Sequence, residues 1–285
     1  RRIRGYDQVG RRPGGGGSCL RKQNIRSDRR GPEASDGFFH AVSLSGGKDS
    51  TCLLLLMIEH SLPIDAVIWA DTGMEFPEMY AHIARIDEHL YRERGLHITA
   101  LRSPKSFEYM MFDEPKQKPS CLENRARLGI PPYGNGWPGM RVRWCTGQFK
   151  THLITKELNR LKGQYQLRQY VGIAADEAWR CKGLNYPLVE WGITEAEALQ
   201  LCYDRGFDFG GLYEIYHRAS CWCCPFQRIG ELRKLRHHHP ELWARLLNLD
   251  NRALAQFGPG PLGQFKKNWS VARLEERFAK EDATA

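Results

Sequence analysis

The sequence predicts an α/β protein: a mainly parallel sheet with helices on both faces, joined to a smaller helical C-terminal subdomain. Three observations carry the prediction. Four short runs of aliphatic, β-branched and aromatic residues alternate with segments whose apolar residues recur at helical spacing. The first run ends in a double glycine that opens directly into a helix-like stretch. Past residue 176 the strand-like runs stop, and helix-like segments continue alone.

The elements follow in order. "FFHAVSLS", from Phe38, reads as a buried strand ending at Gly46-Gly47, and "DSTCLLLLMIEH" as the helix after it. "DAVIWA" is a second strand, stopped by "DTG"; Phe76, Tyr80, Ile83, Ile86 and Leu90 then mark a second helix. "LHITAL" is a third strand. The connection from Ser103 to Trp144 is rich in Pro and Gly, and such length inside a domain points to a lid or binding loop. "KTHLITKELNRL" reads as a helix and "LRQYVGI" as the fourth strand, ending before "AADEAWR". A further helix starts near Thr194, with Glu197 placed to close a capping box. "IGELRKLRHHH" and "PELWARLLNLDNRALAQ" are two more helices. Adjacent His237, His238 and His239 point in different directions on a helix, so they read as its polar end rather than as a metal site. The alternation implies right-handed crossovers, and the chain divides into a tail (1–36), a nucleotide-binding domain (37–176) and a helical, cysteine-containing subdomain (177–285).

Hydrophobic content of 41% and charged content of 26% suit a globular protein in water, and no apolar run approaches the roughly 18 residues of a membrane span. Partners in the membrane are therefore not expected. Residues 1–36 hold ten of the 42 Lys and Arg but four of the 33 Asp and Glu, so this segment carries +6 of the net +9. It is Gly/Arg-rich ("RRPGGGGS"), too poor in apolar residues to offset its own ordering entropy, and is expected to be disordered. Its charge suits either contacts with nucleic-acid phosphates or a solvated leader. It lacks the apolar core of a secretion signal, which places the protein in the cytoplasm. Nine cysteines, three of them between 221 and 224, then point to a metal or redox site rather than a disulfide framework.

"SLSGGKDST", residues 43–51, fails as a Walker loop: the first glycine of that motif would fall at Val42, and Asp49 replaces the hydroxyl. The physical logic of a phosphate turn remains. A strand ends, glycines bring backbone N–H groups close to a ligand, and a helix N-terminus favours an anion. Ser45, Ser50 and Thr51 add hydroxyls and Lys48 a cation. Asp49 would repel phosphate directly, so it is expected to cap the helix or to help hold Mg²⁺.

This stretch resembles the pyrophosphate-loop (PP-loop) signature Ser-Gly-Gly-x-Asp-Ser of the adenine nucleotide alpha-hydrolase superfamily. "WADTGMEFPEMY", "RWCTGQFK", "VGIAADEAWR" and "CWCCPF" follow in the order of its phosphoadenosine phosphosulfate (PAPS) reductase-like branch, from about residue 38 to about 250. The resemblance implies a cradle for the phosphates of ATP, or alternatively PAPS, at Ser45, Gly46, Gly47, Asp49 and Ser50, with Ser43 and Lys48 beside it. Asp71, with Thr72 and Gly73, would contact the adenosine. Arg143 and Lys150 flank Cys145 near the reacting groups. Gly172, Asp176, Glu177 and Arg180 close the site after the fourth strand, where Arg180 would meet phosphate and the carboxylates order it or Mg²⁺. Lys48, Asp49, Arg143 and Lys150 are the residues expected to act in catalysis.

Cys221 and Cys224 form a CxxC with Cys223 inside it, and with Cys145 they make a four-thiolate set that suits either a [4Fe–4S] cluster or Zn²⁺; Cys121 is a possible substitute for one member. Cys52 reads as core, and Cys19, Cys181 and Cys202 show no partner in the pattern. Thioredoxin-linked reductases of the branch carry a catalytic Cys in a C-terminal Glu-Cys-Gly-x-His segment, and no Cys follows Cys224. The closer resemblance is to cluster-bearing sulfurtransferase-like members and to phage- or CRISPR-associated reductase-like ones. The leading expectation is an enzyme that cleaves ATP to AMP and pyrophosphate to activate an acceptor for sulfur transfer, served by a sulfur donor protein and with nucleic acid among the candidate acceptors. PAPS or adenylyl-sulfate reduction, and a non-catalytic nucleotide-binding accessory role in a phage, CRISPR or DNA-modification system, are the alternatives.

Overall fold

β1 (Phe38–Leu44), β2 (Ala66–Asp71), β3 (Ile98–Arg102) and β4 (Gln166–Val171) are the four expected strands. They form one parallel sheet in the order β3-β2-β1-β4, with Val42 opposite both Val67 and Tyr170. The computed structural model describes residues 36–139, 142–219 and 221–284, so the expected basic tail, Asp36 apart, lies outside the described residues.

Helices α1 (Lys48–Glu59) and α2 (Pro77–Arg94) make the first two crossovers, and their apolar residues bury on one face with Val42, Leu44, Val67 and Trp69. The route from β3 to β4 then runs through α3 (Phe107–Phe112), α4 (Pro119–Arg127), α5 (Trp144–Thr146), a π-helical turn (Gly147–Thr151) and α6 (His152–Leu161). Leu158 of α6 packs on the opposite face, with Ala41, Ala66 and Ile68. Handedness explains the split. Two right-handed crossovers in one direction leave their helices on the same face, and the return past β1 to β4 puts the next helix on the other.

The Pro/Gly-rich connection is pinned to the body. Buried Arg125 donates to the carbonyls of Pro131, Tyr133 and Gly134, and Trp137 Nε1 donates to buried Asp250 at 2.9 Å. After β4 come a 3-10 turn (Ala175–Arg180), α7 (Pro187–Glu190), α8 (Glu195–Asp204), α9 (Leu212–Ile215), α10 (Ile229–His238), α11 (Pro240–Phe257) and α12 (Val271–Ala283). α8 opens with the expected capping box: Glu197 N–H donates to Thr194 Oγ1 at 3.3 Å, and Thr194 N–H to Glu197 Oε2 at 2.9 Å. α12 goes beyond the expected helices, although Val271, Leu274 and Phe278 bury at helical spacing. His239 is a fastener, bonded through Nδ1 to Tyr216 Oη at 2.7 Å and through Nε2 to Glu78 at 3.1 Å. One apolar cluster runs from α1 and α2 through Trp222 and Leu246 to Phe278. Among the described residues no helix is long and apolar enough to cross a membrane.

The chain moves from β1 to β2 on one side, while β4 lies on the other. The crevice outside the C-terminal ends of β1 and β4 is thus the switch point at which open α/β sheets bind ligands.

Candidate active site

The double glycine stands in that crevice. Gly46 has φ +84°, and a Cβ there would meet Met79 Sδ at 2.5 Å, so both backbone sign and packing require glycine. Gly47 is the N-cap of α1 and provides no side-chain cap, which leaves the first turn facing the crevice. The hydroxyls of Ser45 and Ser50 are 2.9 Å apart, and Ser45 N–H donates to Ser50 Oγ at 3.1 Å. Lys48 N–H donates to Tyr213 Oη at 2.9 Å, and Lys48 Nζ to Glu195 Oε1 at 2.8 Å. Ser43 stays in the sheet, its hydroxyl accepting from Gln169 Nε2 at 2.7 Å.

Asp49 does not cap α1, because Gly47 holds the cap position and Asp49 already lies inside the helix. Its carboxylate converges instead with those of Glu177 and Glu195, one oxygen of each within 4.8 Å of the others. Asp49 Oδ1 is buried and makes no hydrogen bond. Burial raises the Asp49 pKa; Lys48 works against the rise, and Glu195 and Glu177 add to it. The hydrogen bond from Lys48 holds Glu195 below the usual carboxylate range, against burial, and Arg218 and His217 pull in the same direction as Lys48. Lys48 Nζ stands among these carboxylates, 3.6 Å from Asp49 Oδ1 and 2.8 Å from Glu195 Oε1, so the three hard oxygen donors already hold one cation and fit Mg²⁺ where that ammonium turns away.

Gly172 closes the crevice from β4. A Cβ on it would lie 2.6 Å from the backbone of Asp49 and Ser50, so only glycine lets the strand end approach α1. Asp176 accepts from Glu195 N–H at 3.0 Å and so anchors the start of α8, while Arg180 is bonded to Glu177. On the far side, Asp71 is buried and takes hydrogen bonds from Gly73 N–H, Tyr80 Oη and the Arg102 guanidinium. Asp71, Thr72 and Gly73 line a cleft of about 520 Å³ together with Arg102, Lys105 and Phe107.

Between these regions a cavity of about 240 Å³ gathers residues that are far apart in the chain: Ser45 and Thr72 from just past the ends of β1 and β2, Arg143, Cys145 and Lys150, and Cys221, Cys223 and Cys224. Cys121, on α4, does not line it, and Cys52 and Cys202 are buried in the core. Burial pushes all four cavity thiols up. Burial opposes the charge of Lys150, but the neighbouring Cys221 and Glu75 outweigh it and raise its pKa. Glu75 holds this corner together, accepting from Thr72 Oγ1 at 3.0 Å and lying 3.5 Å from Cys221 Sγ and 3.7 Å from Lys150 Nζ. Among the described residues, three metal-binding donors within 4.8 Å of one another occur at the carboxylates and not at the thiols. Tetrahedral zinc at about 2.3 Å from each sulfur needs thiolates about 3.8 Å apart.

Glu75, Glu195, Tyr213 and Arg102 are the site residues that the motifs do not single out. Glu75 stands inside "DTGMEFPEMY" and was within reach of the pattern; the other three arrive only through packing.

The description of a phosphoadenosine phosphosulfate reductase domain matches residues 40–123, from β1 into α4. The chain is similar to the uncharacterized protein MJ0066 of Methanocaldococcus jannaschii, 24% identical over 230 residues that cover 73% of this chain and 40% of that protein. It is also similar to MJ0973 of the same organism, 22% identical over 226 residues that cover 74% of this chain and 47% of that protein. The chain therefore spans less than half the length of these curated relatives. Motif order, parallel sheet and family match converge on residues 40–123, which are similar to a phosphoadenosine phosphosulfate reductase domain.

Proposed function

We propose that the protein binds ATP with its pyrophosphate end at Ser45–Ser50 and cleaves it at the α-phosphorus to activate an acceptor for sulfur transfer. One observation carries the reading: Ser45 of the phosphate turn and the four clustered thiols line the same cavity, with Lys150 and Arg143 on its wall. The acceptor oxygen attacks the α-phosphorus and pyrophosphate leaves into the turn. Phosphate oxygens take over Lys48 Nζ from Glu195, and Asp49, Glu177 and Glu195 would hold Mg²⁺, which when bound supplies charge neutralisation for the leaving pyrophosphate. Lys150 and Arg143 balance charge on the α-phosphate. A sulfur nucleophile supplied by a donor protein then displaces AMP, which departs with the acceptor oxygen. Cys145, Cys221, Cys223 and Cys224 would hold a [4Fe–4S] cluster, which when bound supplies redox or sulfur-binding chemistry beside the reacting carbon. The cleft at Asp71 would take the adenosine.

The test is pyrophosphate release from ATP and Mg²⁺. Ser45→Ala and Asp49→Ala are expected to lower it at least a hundredfold; release equal to that of the unmodified protein would remove the turn from the mechanism. The family match also supports a reductase reading, in which PAPS or adenylyl sulfate occupies the same turn and sulfite is released to an external thiol. Sulfite without pyrophosphate would favour that reading. ATP binding with neither product would favour the accessory role.

A further inference from the structure

A second cleft, of about 490 Å³, opens off the thiol cavity and shares Arg143, Cys224 and Phe226 with it. Its other end reaches Glu177 and Glu195, beside the phosphate turn. A molecule in this cleft would meet the reacting end of a bound nucleotide and the thiols together.

Its charges are unequal in a way that a count of residues conceals. Three arginines (Arg143, Arg218, Arg228) and three glutamates (Glu177, Glu195, Glu231) line it. The glutamates already have partners: Arg180 on Glu177, Lys48 on Glu195 at 2.8 Å, and both Lys234 and the His217 N–H on Glu231 at 2.9 and 3.0 Å. The three arginines are exposed, and among the described residues none has a carboxylate within 4.0 Å; Arg218 acts on Glu195 only from longer range. The Arg143 guanidinium lies 4.3 Å from the centre of the exposed Phe226 ring, and the pair stands at the boundary between the two cavities. Guanidinium forks with no carboxylate bonded to them favour an anion with several oxygens in one plane or tetrahedron, above all phosphate.

We propose that this cleft receives the acceptor and that the acceptor is a phosphate ester, its phosphate gripped by Arg218 and Arg228 and its reacting group turned over the Arg143–Phe226 pair toward Ser45 and Cys224. The inference rests on the activation reading above and names the substrate class of the same site. Such a phosphate is offered either by a small sugar phosphate or by the backbone of a single nucleic-acid strand.

The experiment uses the full chain and two probes, ribose 5-phosphate by calorimetry and a short fluorescein-labelled single-stranded oligonucleotide by anisotropy. Arg218→Ala/Arg228→Ala is expected to weaken binding of the accepted probe about tenfold or more while ATP affinity stays within about twofold. Arg218→Gln/Arg228→Gln, which keeps side-chain length, is expected to do the same, and equal melting temperatures check the fold. Loss on the strand alone identifies a phosphodiester acceptor, and loss on ribose 5-phosphate a small one. The proposal is overturned if neither probe binds, or if binding survives both double variants, as attachment through the basic residues 1–36 would. Equal loss of ATP affinity also overturns it, by making these arginines part of the nucleotide site. Ser45→Ala keeps the two readings apart: it strikes pyrophosphate release and leaves probe binding intact.

Discussion

His82 shows how far one buried side chain is bent to the needs of its neighbourhood. It is fully enclosed between α1 and the rings of Phe207 and Phe209, and Thr51 Oγ1, 3.2 Å from Nε2, is its polar contact, while Nδ1 has no hydrogen-bond partner. Burial lowers its pKa to about 4, helped by Arg85 and opposed by Asp208. A depressed value means that the folded protein binds fewer protons than the unfolded chain. The stability contribution is therefore complete above about 6.5 and is lost as pH falls toward about 4. The loss amounts to about 3 kcal/mol. Denaturant unfolding of the native protein and of His82→Gln across this window checks it: the slope with pH should be clearly smaller in the variant. At the same scale Gly46 and Gly172 are chosen for what they lack, since a methyl group on either enters Met79 or the first turn of α1.

Elements, rather than motifs, bring the missed residues to the site. α8 is announced by its capping box, yet the place of Glu195 against Lys48 follows from α8 lying along α1, which is buried nearly all round and so needs a partner beyond the sheet. Thr194→Ala removes one side of the box and should cost about 1 kcal/mol in urea unfolding with an unchanged m-value, whereas Thr194→Ser should cost less. α5 and α6 are joined by a π-helical turn that contains Lys150. The extra residue in that turn breaks the 3.6-residue count and points Lys150 into the thiol cavity. The apolar spacing of "KTHLITKELNRL" could not reveal it, because a single wide turn leaves the flanking pattern intact.

At the scale of the molecule, the thiols join the two parts of the chain. Cys145 follows the Pro/Gly connection, and Cys221, Cys223 and Cys224 lie on the loop before α10, next to β2 through the Trp222 N–H bond to Met74 O at 3.1 Å. A group bound by all four would tie the helical part to the sheet. Protein purified without oxygen is expected to hold about four irons and matching sulfide per chain. Cys145→Ala should lose the iron and lower the melting temperature, and one zinc with no iron would instead show that the thiols close into a tetrahedral knot.

The sequence by itself determined the α/β class, all four strands, α1, α2 and α8 with its cap, and the Gly-Gly turn between β1 and α1. Each of these is written in short-range chemistry: a two-residue or 3.6-residue period, a glycine pair after a strand, a capping residue three positions from its partner. Tertiary structure alone decided that β4 lies beside β1, that Glu195 and Tyr213 occupy the donors of Lys48, that Asp49 turns from capping to the carboxylate cluster, and that among the described residues no carboxylate bonds to the three arginines of the second cleft. Those facts are differences in distance between residues far apart in the chain, and they come into being only when helices close around both faces of the sheet.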